Sequence, residues 1–161
     1  MKIRTLVTNG LIAALYIAVT ALIQPFGFTN IQFRLSELFN HLIVFNKKYF
    51  TGIALGVLLA NLLMSEFGIY EIPFGLGMTV ISLLISMAVG KVVKNIWVHM
   101  TLNTVIFSFN TVFLAWMFKL AAGWPFLFTW ATSAISEFLV MTLGMPIIYI
   151  LHKRLHFDKL I

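Results

Sequence analysis

Apolar residues run through this chain in blocks of about 18 or more, broken by short polar or Gly/Pro-containing stretches, which is the pattern of helices that cross a bilayer core of roughly 30 Å. The breaks are Pro25-Phe26-Gly27, Asn46-Lys47-Lys48, Ser65-Glu66-Phe67-Gly68, Lys94-Asn95 and Gly123-Trp124-Pro125. They predict six helices, near 6–24, 35–45, 49–64, 73–93, 96–118 and 126–151, in a single transmembrane domain spanning residues 1–161. Pro73 and Pro125 suit helix starts, where the missing N–H has no intrahelical partner to lose. Helix 2 is short: eleven residues at about 1.5 Å each reach only ~16 Å, half the hydrocarbon thickness.

Composition fits this solvent. The 161 residues are 61% hydrophobic and 10% charged, too few charges to coat a soluble domain and no room for a soluble catalytic one. The absence of cysteine removes disulfides, thiolate metal sites and thiol nucleophiles. The first apolar stretch has no small-residue cleavage site before polar sequence, so it reads as a retained helix and not as a signal peptide. A net charge of +6 could suggest nucleic acid, but the bases sit at helix ends. With six spans and both termini cytoplasmic, Lys2, Arg4, Lys47, Lys48, Lys91, Lys94, Lys153, Arg154 and Lys159 lie inside, against Arg34 and Lys119 outside. Nine against two is the positive-inside bias. Were helix 2 not to cross, the best split would be eight to three, with Lys2 and Arg4 outside.

Two stripes of small residues recur at four-residue spacing: Gly10, Ala14 and Ala18 on helix 1, and Gly52, Gly56 and Ala60 on helix 3. In lipid such stripes are where helices approach closely, either inside the bundle or against another subunit.

Polar side chains inside the spans mark candidate chemistry. Glu137 falls near the middle of helix 6, where a carboxylate costs at least ~2.5 kcal/mol, and it shares a helix face with Trp130 and Ser133. His99, Asn103 and Asn110 form a stripe on helix 5, and Asn61 adds an amide near the outer end of helix 3. Such amides also serve as interhelical glue. The segment from Asn30 to Glu37 places Arg34 and Glu37 three apart, so that they can pair on one helical face; alternatively Glu37 points into a cavity open to the outside. Glu66 and Glu71 would keep the mouth of that cavity acidic and favour a cationic or hydrogen-bond-donating solute. Gly90-Lys91 is followed by Val92 and preceded at the required position by Ile85, so it is not a phosphate-binding GxxxxGK[ST] loop, and no ATP hydrolysis is expected of this chain. His152 and His156 lie in a basic tail without the glutamate that a zinc motif would place after the first histidine.

Four segments together carry a family resemblance: Ala14-Leu15-Tyr16-Ile17-Ala18, Ile31-Gln32-Phe33-Arg34-Leu35-Ser36-Glu37, Leu58-Leu59-Ala60-Asn61-Leu62-Leu63, and Ser136-Glu137 with Gly144-Met145-Pro146. Across nearly the whole chain they resemble the QueT family, substrate-binding S components of energy-coupling factor (ECF) transporters assigned to queuosine precursors. The string from Ile31 to Glu37 is the most specific of them.

The resemblance implies an all-α, six-helix membrane bundle with an outward-facing pocket closed by the loop after helix 1, in a prokaryotic plasma membrane. It implies no enzymatic activity and no cofactor in this chain, ATP being used by the partner subunits EcfA and EcfA'. Gly10, Ala14 and Ala18 would dock the transmembrane coupling subunit EcfT, and uptake would proceed by toppling of the whole component. A 7-deazaguanine such as preQ1 offers paired N–H donors, a flat face and, in its aminomethyl form, a cation. Expected substrate contacts are therefore Glu137 and Glu37 as carboxylates, Asn61, Asn103 and Asn110 as amides, Arg34 and Ser133 as further polar groups, and Trp130 or Phe33 as stacking partners. The family pattern has an acidic residue late in helix 5, where this chain has Asn110. Two other readings are a stand-alone secondary transporter moving protons through Glu137 and His99, and a membrane scaffold that binds no solute.

Overall fold

The computed structural model describes residues 3–24, 33–65 and 67–161. Lys2, the Pro25-Phe26-Gly27 break, Asn30, Ile31, Gln32 and Glu66 lie outside the described residues. Among the described residues, five helices are long and apolar enough to cross a membrane: α1 (Ile3–Leu22), α3 (Lys47–Met64), α4 (Ile72–Val92), α5 (Ile96–Ala122) and α6 (Phe126–Leu155). A shorter apolar helix, α2 (Leu35–Phe45), stands between α1 and α3 in the chain, and a last turn, α7 (Phe157–Leu160), follows α6. The chain is an all-α multi-pass membrane protein. Its surface bears this out: Leu127, Phe128, Ile135, Leu143 and Ile150 of α6 are exposed, while Ser133, Ser136 and Glu137 of the same helix are buried. In lipid the apolar face turns outward and the polar groups must find partners within the protein.

Several helices depart from ideal geometry where the sequence supplies a cause. Seven residues of α2, Leu35–His41, are wound as 3-10 helix before α-helix resumes at Leu42–Phe45. At about 2.0 Å per 3-10 residue and 1.5 Å per α residue, α2 reaches ~20 Å, longer than eleven α-helical residues would. In a 3-10 helix residues i and i+3 eclipse, which lines Asn40 up with Glu37 so that its amide donates to Glu37 Oε2. Helix α4 opens with a π-helical turn, Ile72–Leu76, that has Pro73 in its first positions. Helix α5 breaks at Thr111, whose hydroxyl donates to the Ser108 carbonyl at 2.7 Å, and resumes at Val112. It closes on Gly123, which adopts φ 70, a left-handed conformation open to glycine, and Trp124 then stacks on Phe118 at 4.6 Å. Helix α5 thus extends beyond the expected end at 118, and α6 beyond 151.

The two small-residue stripes have different fates. Gly52, Gly56 and Ala60 are buried, and α1 packs on α3 along them so closely that a Cβ on Gly56 would lie 2.8 Å from Tyr16 Cβ. Asn9 pins the seam, donating to the Lys48 carbonyl (3.0 Å) and to Thr51 Oγ1 (2.8 Å). Gly10, Ala14 and Ala18 are exposed on the opposite side of α1, and a Cβ on Gly10 would meet nothing within 4 Å. Helix α2 is enclosed by α1 and α6. Gly144 lets it approach, since a Cβ there would lie 2.7 Å from Leu38.

Candidate functional site

Buried polar residues gather around α2. On one side, Tyr16 of α1 donates to Glu37 Oε1 at 2.7 Å, and Thr20 bonds Ser36 at 2.7 Å. On the other, His41 Nε2 lies 2.9 Å from the Met141 carbonyl of α6. A carbonyl only accepts, so Nε2 carries the proton, and Nδ1 accepts from Asn103 of α5 at 3.4 Å. The Asn103 amide also donates to the Asn40 carbonyl at 3.2 Å.

Toward the turn joining α3 and α4, Arg34 forms an ion pair with Glu71 at 2.9 Å, and both are buried. Asn61 joins them: its side-chain oxygen accepts from Arg34 at 3.4 Å and its amide donates to the Glu71 carbonyl at 3.4 Å. Gly75, in the π-helical turn, makes room, because a Cβ would sit 2.5 Å from Glu71 Oε2 and 2.7 Å from Asn61 Nδ2. Two sequence expectations are corrected here. Arg34 takes its close ion pair across the fold from Glu71 and not from its neighbour Glu37, because the extended backbone at Arg34 precedes the helix. Glu71 is no exposed mouth acid; it is fully buried, its charge compensated by the guanidinium.

Between these clusters lies a small cavity lined by Arg34, Glu37, Gly75, Met78, Thr79, Thr111, Leu114, Ser133 and Glu137. It holds about 10 Å³, the room of about one water. Two of its walls are chemically incomplete: Ser133 Oγ and Glu137 Oε1 are buried with no hydrogen-bond partner. Buried polar atoms of proteins are nearly always satisfied, and an orphan carboxylate oxygen facing a cavity is the mark of a missing donor. Glu37, by contrast, has one oxygen held by Tyr16 and the other by Asn40.

Of the residues expected at a site, Arg34, Glu37, Ser133 and Glu137 line this cavity, and Asn61 braces Arg34 behind it. Others stand apart. Asn110 donates to Ser82 Oγ at 2.8 Å, and Asn103 is committed to Asn40 and His41. Trp130 turns from the cavity to the outside of α6, its indole N–H donating to the Phe109 carbonyl at 3.1 Å and its ring edge-on to Phe109. Phe33 is half-buried just before Arg34 and is not among the lining residues. His99 faces α4, with Nε2 donating to the Ser86 carbonyl at 2.9 Å. Tyr16, Asn40, Thr79 and Thr111 join the polar cluster without being among the expected site residues, and Glu71, expected at the cavity mouth, is buried within it. For Tyr16 a signal existed: Asn9, Ala13, Tyr16 and Thr20 form a stripe at helical spacing, opposite the exposed one. For Glu71 none did, since nothing local marks a loop acid for burial.

Residues 6–153 match the family described as QueT transporter. The chain belongs to the QueT transporter family. A relative from Lactococcus lactis subsp. cremoris (strain MG1363), named as queuosine precursor transporter QueT, is 31% identical over 166 residues, covering 98% of either chain. No solved structure matches. Within this QueT-family chain, the matched region contains every residue of the cavity and both small-residue stripes.

Proposed function

We propose that the chain is the membrane-embedded S component of an ECF-type importer, capturing a queuosine precursor, a 7-deazaguanine such as preQ1, from outside a prokaryotic cell. The family and the named relative support the substrate class. The observation that carries the reading to the residues is the unpartnered pair of Ser133 Oγ and Glu137 Oε1 on the cavity wall. A carboxylate oxygen and a hydroxyl side by side on one face of α6 can accept from adjacent ring and exocyclic N–H groups of a deazaguanine. Glu137 is the acid that meets the substrate. Glu37, whose oxygens are both engaged, orients the wall opposite and adds negative charge for an aminomethyl cation.

A bicyclic base requires the cavity to expand, and Arg34 with Glu71 and Asn61 is the latch joining the start of α2 to the turn before α4. Release of that latch admits substrate from outside. The exposed Gly10, Ala14 and Ala18 face suits EcfT, whose helices could pack against the α1 backbone; EcfA and EcfA' would supply ATP hydrolysis, and toppling would carry the loaded chain across. Six spans with cytoplasmic termini remain the arrangement that best obeys the positive-inside rule. The secondary-transporter alternative loses ground because His99 and Glu137 line different cavities and His99 is already bonded to α4.

The test is thermal stabilisation of the purified chain by 7-aminomethyl-7-deazaguanine beside guanine, riboflavin and thiamine. Selective stabilisation that disappears in Glu137→Gln is expected. No shift with any deazaguanine would overturn the substrate assignment.

A further inference from the structure

A cleft much larger than the cavity at Glu137 lies away from the polar cluster, at the end of the bundle that carries most of the bases. It measures about 790 Å³ and runs between the end of α2 and the α4–α5 turn. Its floor is apolar, with Ile43, Val44, Leu84 and Met87, and its rim carries Lys47, Lys91 and Lys94. All three lysines are exposed, and none forms an ion pair with a carboxylate among the described residues. Lys94 instead reaches the Gly90 carbonyl at 3.3 Å. His99 also lines the cleft; its Nε2 is bonded to Ser86.

The cleft does not end at the lysines. A second, predominantly apolar groove of about 480 Å³, lined by Thr5, Lys48, Phe50 and Thr51, shares Lys47, Leu84 and Met87 with the first. The two adjoin at these shared residues, so that a lysine-rimmed head stands beside a groove whose exposed wall is mostly apolar and whose edge carries Lys48. A free phosphate would need only the head, whereas the mostly apolar groove beside it offers room for an acyl chain over Leu84 and Met87.

We propose that the cleft and groove together are a binding site for one anionic phospholipid, its phosphate held by Lys47, Lys91 and Lys94 and an acyl chain lying over Leu84 and Met87. Basic pockets between transmembrane helices on the cytoplasmic side recognise acidic head groups. Lys47 opens α3, Lys91 lies in the last turn of α4 and Lys94 in the α4–α5 turn, so a bound head group would tie the start of α3 to the end of α4.

The experiment uses the full chain, delipidated in neutral detergent. Retained lipid is counted by native mass spectrometry and thermal stability is read on adding phosphatidylglycerol, phosphatidylcholine or inorganic phosphate. Saturable retention of one phosphatidylglycerol with a rise in Tm is expected, with little from phosphatidylcholine and none from phosphate. The Lys91→Gln/Lys94→Gln variant should lose most of the retention, and Leu84→Trp, which keeps the lysines and fills the groove, should lose it as well. Equal retention of both lipids, an equal shift from phosphate, or undiminished retention in both variants would each overturn the proposal. So would variants that retain lipid normally and fail only to bind a coupling subunit, which would make the site a protein interface.

Discussion

Tyr16 donates a 2.7 Å hydrogen bond to Glu37 Oε1 from the inner side of α1, while Ala14 and Ala18 on either side of it in sequence point outward and are exposed. One turn of α1 therefore touches both the polar cluster around the cavity and the face proposed to meet a coupling subunit. Tyr16→Phe keeps the packing and removes only the donor, leaving a buried carboxylate oxygen unsatisfied at a cost of about 1–3 kcal/mol. A lower Tm and weaker deazaguanine binding are the expected outcomes in detergent-based unfolding and ligand titration. An unchanged Tm would show that the bond contributes nothing.

The two carboxylates of the cavity should answer oppositely to amide substitution. Glu137→Gln removes the charge of a buried carboxylate whose Oε1 lacks a partner, so stability should hold or rise while substrate binding is lost. Glu37→Gln weakens two established hydrogen bonds, and the expected result is a fall in Tm. Measuring both variants by thermal unfolding with and without ligand separates the roles; a reversed order would contradict them.

Breaking the Arg34–Glu71 pair from one side should be severe. Arg34→Gln leaves Glu71 buried beside Asn61 without its cation, and loss of one partner of a buried pair costs about 3–5 kcal/mol. Replacing both, as Arg34→Met with Glu71→Leu, should cost less than the sum of the single changes. A double-mutant cycle in urea or heat reads the coupling, and additive effects would mean that the latch is not a unit. Association of ligand with the double variant should also be faster.

Glycines of the two stripes should differ in tolerance. Gly56→Ala forces a Cβ to 2.8 Å from Tyr16 and should destabilise by about 1–3 kcal/mol, as overpacked contacts do. Gly10→Ala meets open space and should fall within about 0.5 kcal/mol of the parent. Ala14→Trp should likewise leave the isolated chain intact and reduce its co-purification with the coupling subunit. Loss of folding in Ala14→Trp would show that this face is packed within the chain.

By itself, the sequence determined the parts of this protein that depend on local pattern. Long apolar runs between polar breaks suffice to define helices in a bilayer, because every backbone group must bond within its own segment, and the bounds of α2 and the helix starts at Ile96 and Phe126 follow from that rule. The family, too, was legible in short strings such as that from Ile31 to Glu37. Only the tertiary structure decided how these pieces meet. Two stripes with the same four-residue period look alike in sequence, yet Gly52 and Gly56 face Asn9 and Tyr16 while Gly10 faces outward. Arg34 chose Glu71 over the nearer Glu37, because ion pairing in a low-dielectric interior follows distance in space and not separation along the chain. Trp130 and Ser133 share a helix face by spacing, but the helices packed beside them place one against Phe109 and the other on the cavity wall. Side-chain partners come from whichever helix packs alongside, and helical periodicity carries no information about that neighbour.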